Sequence, residues 1–150
     1  MSWDTAARFN ADFVTNIADV YTDYEYVYAE DNDGIDLDEY GSGPVVEVNT
    51  EVFNDEPLGL GTSDTVYIEE GEFIINFYTE KGSGSDEAGT FYNIIRNQYR
   101  NSRILQGAGE GDIYLENISR RPRVEVENRR SSREWVRHIF FLPYTKHYEV

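Results

Sequence analysis

The run Glu72-Phe73-Ile74-Ile75-Asn76-Phe77-Tyr78 is the most hydrophobic strand-like segment of the chain, and it constrains the fold more than any other. Aromatic and β-branched residues packed into so short a stretch favour a pleated backbone, and a strand this apolar is expected at the centre of a sheet with Phe73, Ile75 and Phe77 facing the core. Residues 66–69 are expected to form the strand before it. Glu70-Gly71 would make the tight hairpin turn between the two, because Gly71 can adopt positive φ. Residues 45–53 also alternate, with Val46, Val48 and Thr50 on one face and Val45, Glu47, Asn49 and Glu51 on the other. Residues 54–64, with Pro57, Gly59 and Gly61, read as a loop.

Two segments have helical spacing instead. Ala6, Phe9, Phe13, Ile17 and Val20 or Tyr21 recur in steps of three and four, which predicts an amphipathic helix over 3–21 capped by Ser2 or Asp4. After the joint Gly82-Ser83-Gly84-Ser85-Asp86, the positions of Ala88, Phe91, Tyr92, Ile94, Ile95 and Tyr99 predict a second helix of roughly 18 residues. Tyr24, Tyr26 and Tyr28 alternate with Glu25 and Val27 as a short half-exposed strand. Further strands are expected at 112–118, 124–128 and 134–144, with turns at Arg121-Pro122 and 129–133. Helix, strands, helix, strands is an α+β order, and it predicts a mostly antiparallel sheet with an N-terminal helix and a second helix packed on one face. A chain of 150 residues has room for one well-buried core, so residues 1–150 are expected to be a single domain with an acidic loop at 30–43.

Charge divides by position. Residues 1–90 carry 22 Asp/Glu against Arg8 and Lys81 alone, a net −20, whereas residues 91–150 carry 11 Lys/Arg against seven Asp/Glu, a net +4. Such a split gives one copy a negative surface able to dock on the positive surface of another, which is what head-to-tail assembly requires. The overall charge of −16 repels phosphate backbones and disfavours general nucleic-acid binding unless the arginine-rich end acts alone. The absence of cysteine excludes disulfides, thiolate catalysis and cysteine-based zinc sites. No stretch approaches the apolar length of a membrane span, and Met1-Ser2-Trp3-Asp4 lacks the basic start of a signal peptide, so a soluble protein made in the cytoplasm is expected.

The acidic tract Asp31-Asn32-Asp33-Gly34-Ile35-Asp36-Leu37-Asp38-Glu39 invites a calcium reading. Aligning Gly34 with the fixed glycine of a calcium loop, however, leaves Ala29 in the first ligand position and Tyr40 in the last, so the tract reads as a solvated acidic loop. The glycine clusters at 82–84 and 107–111 lack both the dinucleotide fingerprint and the Lys-Ser/Thr of a phosphate loop, and read as joints around the second helix. The only histidines are His138 and His147, with His138 in alternation with Val136 and Phe140, and no Gly-x-Ser-x-Gly elbow occurs; a catalytic role is not expected. The densest positive feature is Arg120, Arg121, Arg123, Arg129, Arg130, Arg133 and Arg137. An assembly interface fits it better than a solvated turn or a nucleic-acid site, because residues 30–72 supply carboxylates that the planar guanidinium grips with two hydrogen bonds. Arg120, Arg121, Arg123, Arg129, Arg130 and Arg133 are the candidate interface residues.

The segment Gly71-Glu72-Phe73-Ile74-Ile75-Asn76-Phe77-Tyr78-Thr79-Glu80-Lys81-Gly82-Ser83-Gly84, the helix and strands after it, and the aromatic strand Trp135-Val136-Arg137-His138-Ile139-Phe140-Phe141 resemble the tail-terminator, or tail-completion, proteins of long-tailed bacteriophages. The likeness extends over most of the chain, although the acidic tract at 30–43 has no counterpart in the family layout. The resemblance implies a hexameric ring that binds the end of the completed tail tube, stops its polymerisation and joins the tail to the head. The expected partners are further copies of this chain, the tail tube protein and the head–tail connector protein, with no cofactor, no metal and no membrane. The expected location is the head-proximal end of the tail in the virion, after synthesis in the host cytoplasm. In such a ring Asp31, Asp33, Asp36, Asp38 and Glu39 would line the lumen, where carboxylates repel DNA phosphates and let the genome pass without specific binding. Two other readings stay open: another neck component such as a connector or stopper, and an acidic monomeric binding module that mimics DNA.

Overall fold

A computed structural model describes residues 2–28, 37–40, 43–58, 66–82, 85–105, 111–126 and 134–149. Helix α1 (Ser2–Phe13) continues as a wider π-helical turn (Val14–Ala18). The widening has a local cause: Thr15 Oγ1 donates to the Ala11 carbonyl at 3.1 Å and Asn16 Nδ2 to that of Asp12 at 3.1 Å, so side chains occupy acceptors one turn back. The remaining elements are β1 (Glu25–Tyr28), a 3-10 turn (Leu37–Glu39), β2 (Val45–Leu58), β3 (Val66–Glu80), α2 (Ser85–Tyr99), β4 (Arg103–Ile104), β5 (Ile113–Leu115), β6 (Ser119–Val126) and β7 (Trp135–Glu149).

The strands form one curled sheet in the order β1-β2-β3-β7-β5-β4, with β6 also paired to β7. The expected mostly antiparallel arrangement is corrected to a mixed sheet. The β2–β3, β3–β7, β4–β5, β5–β7 and β6–β7 pairs are antiparallel, but β1 enters parallel to β2. Residues 29–44 supply the crossover of about a dozen residues or more that a parallel neighbour demands.

Several boundaries differ from the sequence reading: the strand expected at 112–118 is Ile113–Leu115, the next begins at Ser119, and β4 was not foreseen. No turn interrupts residues 66–80: β3 is continuous, and Gly71 sits inside it opposite Val52 and Tyr144. Strand β2 runs past residue 53 to Leu58, because a bulge at Phe53 absorbs the break in alternation. Arg121-Pro122 is likewise a bulge within β6 and not a turn, since the register shifts between Arg121 and Val124; a proline is tolerated there because it owes no hydrogen bond to the ladder. Strand β7 extends to Glu149.

The two helices share one face of the sheet. Phe9, Phe13 and Ile17 from the first helical segment and Ala88, Phe91, Ile95 and Tyr99 from α2 join Val46, Val48, Phe73, Ile75, Phe77, Phe140, Leu142 and Tyr144 in a single core. Phe73, Ile75 and Phe77 face it as expected. Its centre is a stack of rings, with Phe9 on Phe73 at 3.8 Å between centroids and Phe73 beside Tyr144 at 4.5 Å. On the other face a smaller cluster gathers Leu37, Val45, Tyr78 and Trp135. The 3-10 turn therefore plugs that side through Leu37, so the acidic tract is anchored at this point and not solvated throughout.

Candidate subunit interface

The bulged strand β6 displays the described part of the arginine cluster. Arg120 pairs across from Phe140, which puts it on the helix-bearing face, and Arg121 pairs across from Ile139, which puts it on the opposite face. Both side chains are exposed, yet both are oriented: the Arg120 guanidinium carbon lies 5.5 Å from the centroid of the Tyr92 ring, and that of Arg121 lies 4.1 Å above Phe141. Among the described residues neither arginine has a carboxylate within ion-pair distance; the pairs present are Lys81–Glu134 at 3.4 Å and Arg103–Asp112 at 3.9 Å. A guanidinium already held against a ring loses less rotamer freedom when a carboxylate arrives. Arg123 belongs to β6 by its backbone. Arg129, Arg130 and Arg133 lie outside the described residues, as do Asp31, Asp33 and Asp36. Asp38 and Glu39 belong to the 3-10 turn, and the Glu39 side chain is exposed.

Carboxylates collect on the far half of the β2–β3 ribbon. Glu51, Asp55, Glu56 and Glu70 are exposed. Glu51 and Glu72 stand directly opposite each other, an unfavourable pairing of like charges. Partial burial pushes the Glu72 carboxyl up from its ordinary value, the Glu51 charge adds to the shift, and Arg121 opposes it. A carboxyl raised in the folded state holds its proton more tightly there than in the unfolded chain. Its contribution to stability is fully present below the ordinary glutamate pKa and is lost as pH rises through the raised value. Glu72→Gln is accordingly expected to raise Tm near neutral pH and to change it little near about pH 3.5, where the carboxyl is protonated in both states. Thermal melts at the two pH values check this, and an equal shift at both would remove titration as the cause.

Two buried polar networks escaped the sequence reading. Glu69 is fully buried on the helix-bearing face, where its Oε2 accepts from Thr5 Oγ1 at 2.6 Å and from the Tyr144 hydroxyl at 2.9 Å. Burial first, and then the Glu69 charge, keep that phenol protonated far above the usual tyrosine range. Across the sheet, buried Glu47 accepts from Asn76 Nδ2 at 2.8 Å and from the Tyr78 hydroxyl at 3.0 Å. These networks tie α1 to β3 and β7, and β2 to β3, which is a structural task. The shared signal is a strand glutamate paired with a tyrosine on the neighbouring strand of the sheet, Glu47 with Tyr78 and Glu69 with Tyr144, and it is visible only once strand order and register are known. His138 packs in the sheet as its alternation suggested, with Nε2 3.3 Å from Thr79 Oγ1 and its ring 6.3 Å from that of Phe77.

No protein-family model matches the chain, and no curated protein matches it. Among solved structures, one similar chain superposes with a TM-score of 0.52 over 100% of this chain and 96% of its own, at 14% identity. A likeness at that identity describes the fold alone.

Proposed function

We propose that this protein is a ring-forming structural component of a phage tail, of the tail-terminator type: copies assemble head to tail into a hexameric ring that caps the finished tail tube, stops its growth and joins it to the head connector. The observation that carries the reading is the pair Arg120 and Arg121, exposed, set beside aromatic rings and without a carboxylate within ion-pair distance among the described residues, in a chain whose other half is strongly acidic. Cations arranged in this way suit a partner's carboxylates, and a heterologous contact closes into a ring when the rotation between copies closes. On this reading the protein performs no chemistry and takes no cofactor, and DNA passes through a lumen whose negative charge repels it.

Native mass measurement and negative-stain imaging at low and moderate salt test it. The expected result is a six-fold ring with an open channel that loosens as salt rises, because exposed pairs are screened within about 10 Å at 0.1 M salt. A strict monomer at every salt and concentration that also fails to bind purified tail tubes would overturn the reading and favour the acidic binding module.

A further inference from the structure

We infer that the subunit contact is an antiparallel strand addition, in which the outer edge of β6 in one copy pairs with the outer edge of β2, beyond Val48, in the next. The inference rests on the ring reading and specifies the surface that closes it.

Both edges are open among the described residues. β1 pairs with β2 only from Val45 to Val48, which leaves residues 49–58 of β2 bonded on one side, to β3. β6 is bonded on one side, to β7. An unpaired strand edge offers a row of backbone donors and acceptors to another chain, and proteins usually guard such edges with charge and bulges. Here each edge carries a bulge, and the guarding charges have opposite sign: Glu51, Asp55 and Glu56 on β2, Arg120 and Arg121 on β6. Two β2 edges repel each other, and so do two β6 edges, but one of each attracts. The guard that blocks random edge pairing therefore selects the head-to-tail contact.

Strand direction and facing agree with this. β2 is antiparallel to β3, β3 to β7 and β7 to β6, so the two open edges run in opposite directions. Through β7 and β3, Arg120 is level with Val48 of its own copy and Asp55 with Lys146, so bringing the free part of β2 onto β6 staggers successive copies by about six residues, roughly 20 Å, along the strands. A ring closes over such a stagger when its strands tilt against the ring axis, as in a barrel; β2 of the next copy is then antiparallel to β6 and the helices stay on the same side of the sheet all the way round. Charges then meet on matching faces. Arg120 and Asp55 both belong to the helix-bearing face, Asp55 by its pairing with Glu69; Arg121, Glu51 and Glu56 belong to the other, the last two by pairing with Glu72 and Ile68. The register that seats Arg120 opposite Asp55 seats Arg121 opposite Asn54 and diagonal to Glu56, within reach of a long side chain. The Tyr148 hydroxyl already donates to Asp55 Oδ1 at 2.6 Å, which holds that carboxylate in place. Pro122 and the two bulges confine the added ladder to short stretches, so the contact is small and salt-sensitive.

Charge reversal with rescue tests the inference. Arg120→Glu with Arg121→Glu makes both edges acidic, and Asp55→Lys with Glu56→Lys makes the altered β2 edge basic like β6. Each variant alone is expected to associate at least tenfold more weakly than the unaltered protein, and an equimolar mixture is expected to recover rings in which the two variants alternate. Circular dichroism and thermal melts establish that both variants fold. A second measurement uses the absence of cysteine: Asn54→Cys with Arg121→Cys should oxidise to a ladder of linked copies. A link within one copy is excluded because three inter-strand steps of about 4.8 Å separate the edges by about 14 Å, whereas a disulfide spans at most about 7 Å between Cα atoms. Rings that persist in both reversed variants, with no ladder, would overturn the edge contact and leave the ring reading standing. Absence of any ring from the unaltered protein, free or on tail tubes, would remove both.

Discussion

Phe73→Ala is expected to lower stability by about 3–5 kcal/mol, the range for truncating a buried phenylalanine that leaves a cavity. Phe73 is fully buried in the middle of β3, between the Phe9 ring at 3.8 Å and the Tyr144 ring at 4.5 Å. Its removal strips α1 of the ring it stacks on and strips β7 of a cross-sheet neighbour, and the rigid strands around the void cannot collapse into it. Against a total of roughly 5–15 kcal/mol for a domain, that loss leaves the fold marginal, with a fall in Tm on the order of 10 °C. Urea titration of the variant beside the unaltered protein checks the figure. A loss under about 1 kcal/mol would place the centre of the core elsewhere.

The second large effect concerns the smallest side chain. Gly71→Ala is expected to cost about 3 kcal/mol, because overpacking a dense interior forces its neighbours off their rotamers or moves backbone. A methyl group at residue 71 would run into the Glu51 carbonyl oxygen and lie 2.8 Å from Tyr144 Cε1. The carbonyl belongs to the β2–β3 ladder and cannot retreat without breaking it, and the tyrosine is fixed by its bond to Glu69. Gly89 provides the contrast. It lies in α2 with nothing within 4 Å of the added carbon, so Gly89→Ala is expected to stabilise the protein by roughly 0.5–1 kcal/mol through helix propensity. The same substitution with opposite signs, read from two denaturation curves, separates close approach from chain entropy. Equal effects would mean that Gly71 does not meet Tyr144.

Gly71 also shows where the sequence stops being informative. A glycine after a glutamate between two apolar runs looks like a hairpin turn, since positive φ and close packing both select glycine. Which of the two applies depends on Tyr144, 73 positions further along, whose ring occupies the space that a side chain would need. Phe53 and Pro122 misled for a related reason. A bulge displaces alternation by one residue, and a local reading takes that for the end of a strand. Local periodicity sufficed for both helices and for the inward face of Phe73, Ile75 and Phe77, because each of those signals lies within a few residues of itself. The parallel entry of β1 and the burial of Glu47 and Glu69 are set by long-range pairing and have no local mark. Of the candidate interface, Arg120 and Arg121 were legible as charge; their seats on Tyr92 and Phe141, and the placement of Glu51, Asp55 and Glu56 on the opposite open edge, required the sheet order.

The place of β7 in the sheet governs how a newly made chain can mature. It pairs along its length with β3, and on its other side with β5 and β6, yet it is translated after all of them. Glu80 finds its partner Trp135 only after the whole of α2, β4, β5 and β6 has been synthesised. On the ribosome, therefore, β3 waits with one long edge bare, and the nascent chain holds Phe73 without the Tyr144 ring beside it. Closing that edge joins residues of high sequence separation, which makes it a slow step of folding and leaves the bare strand in need of protection until then.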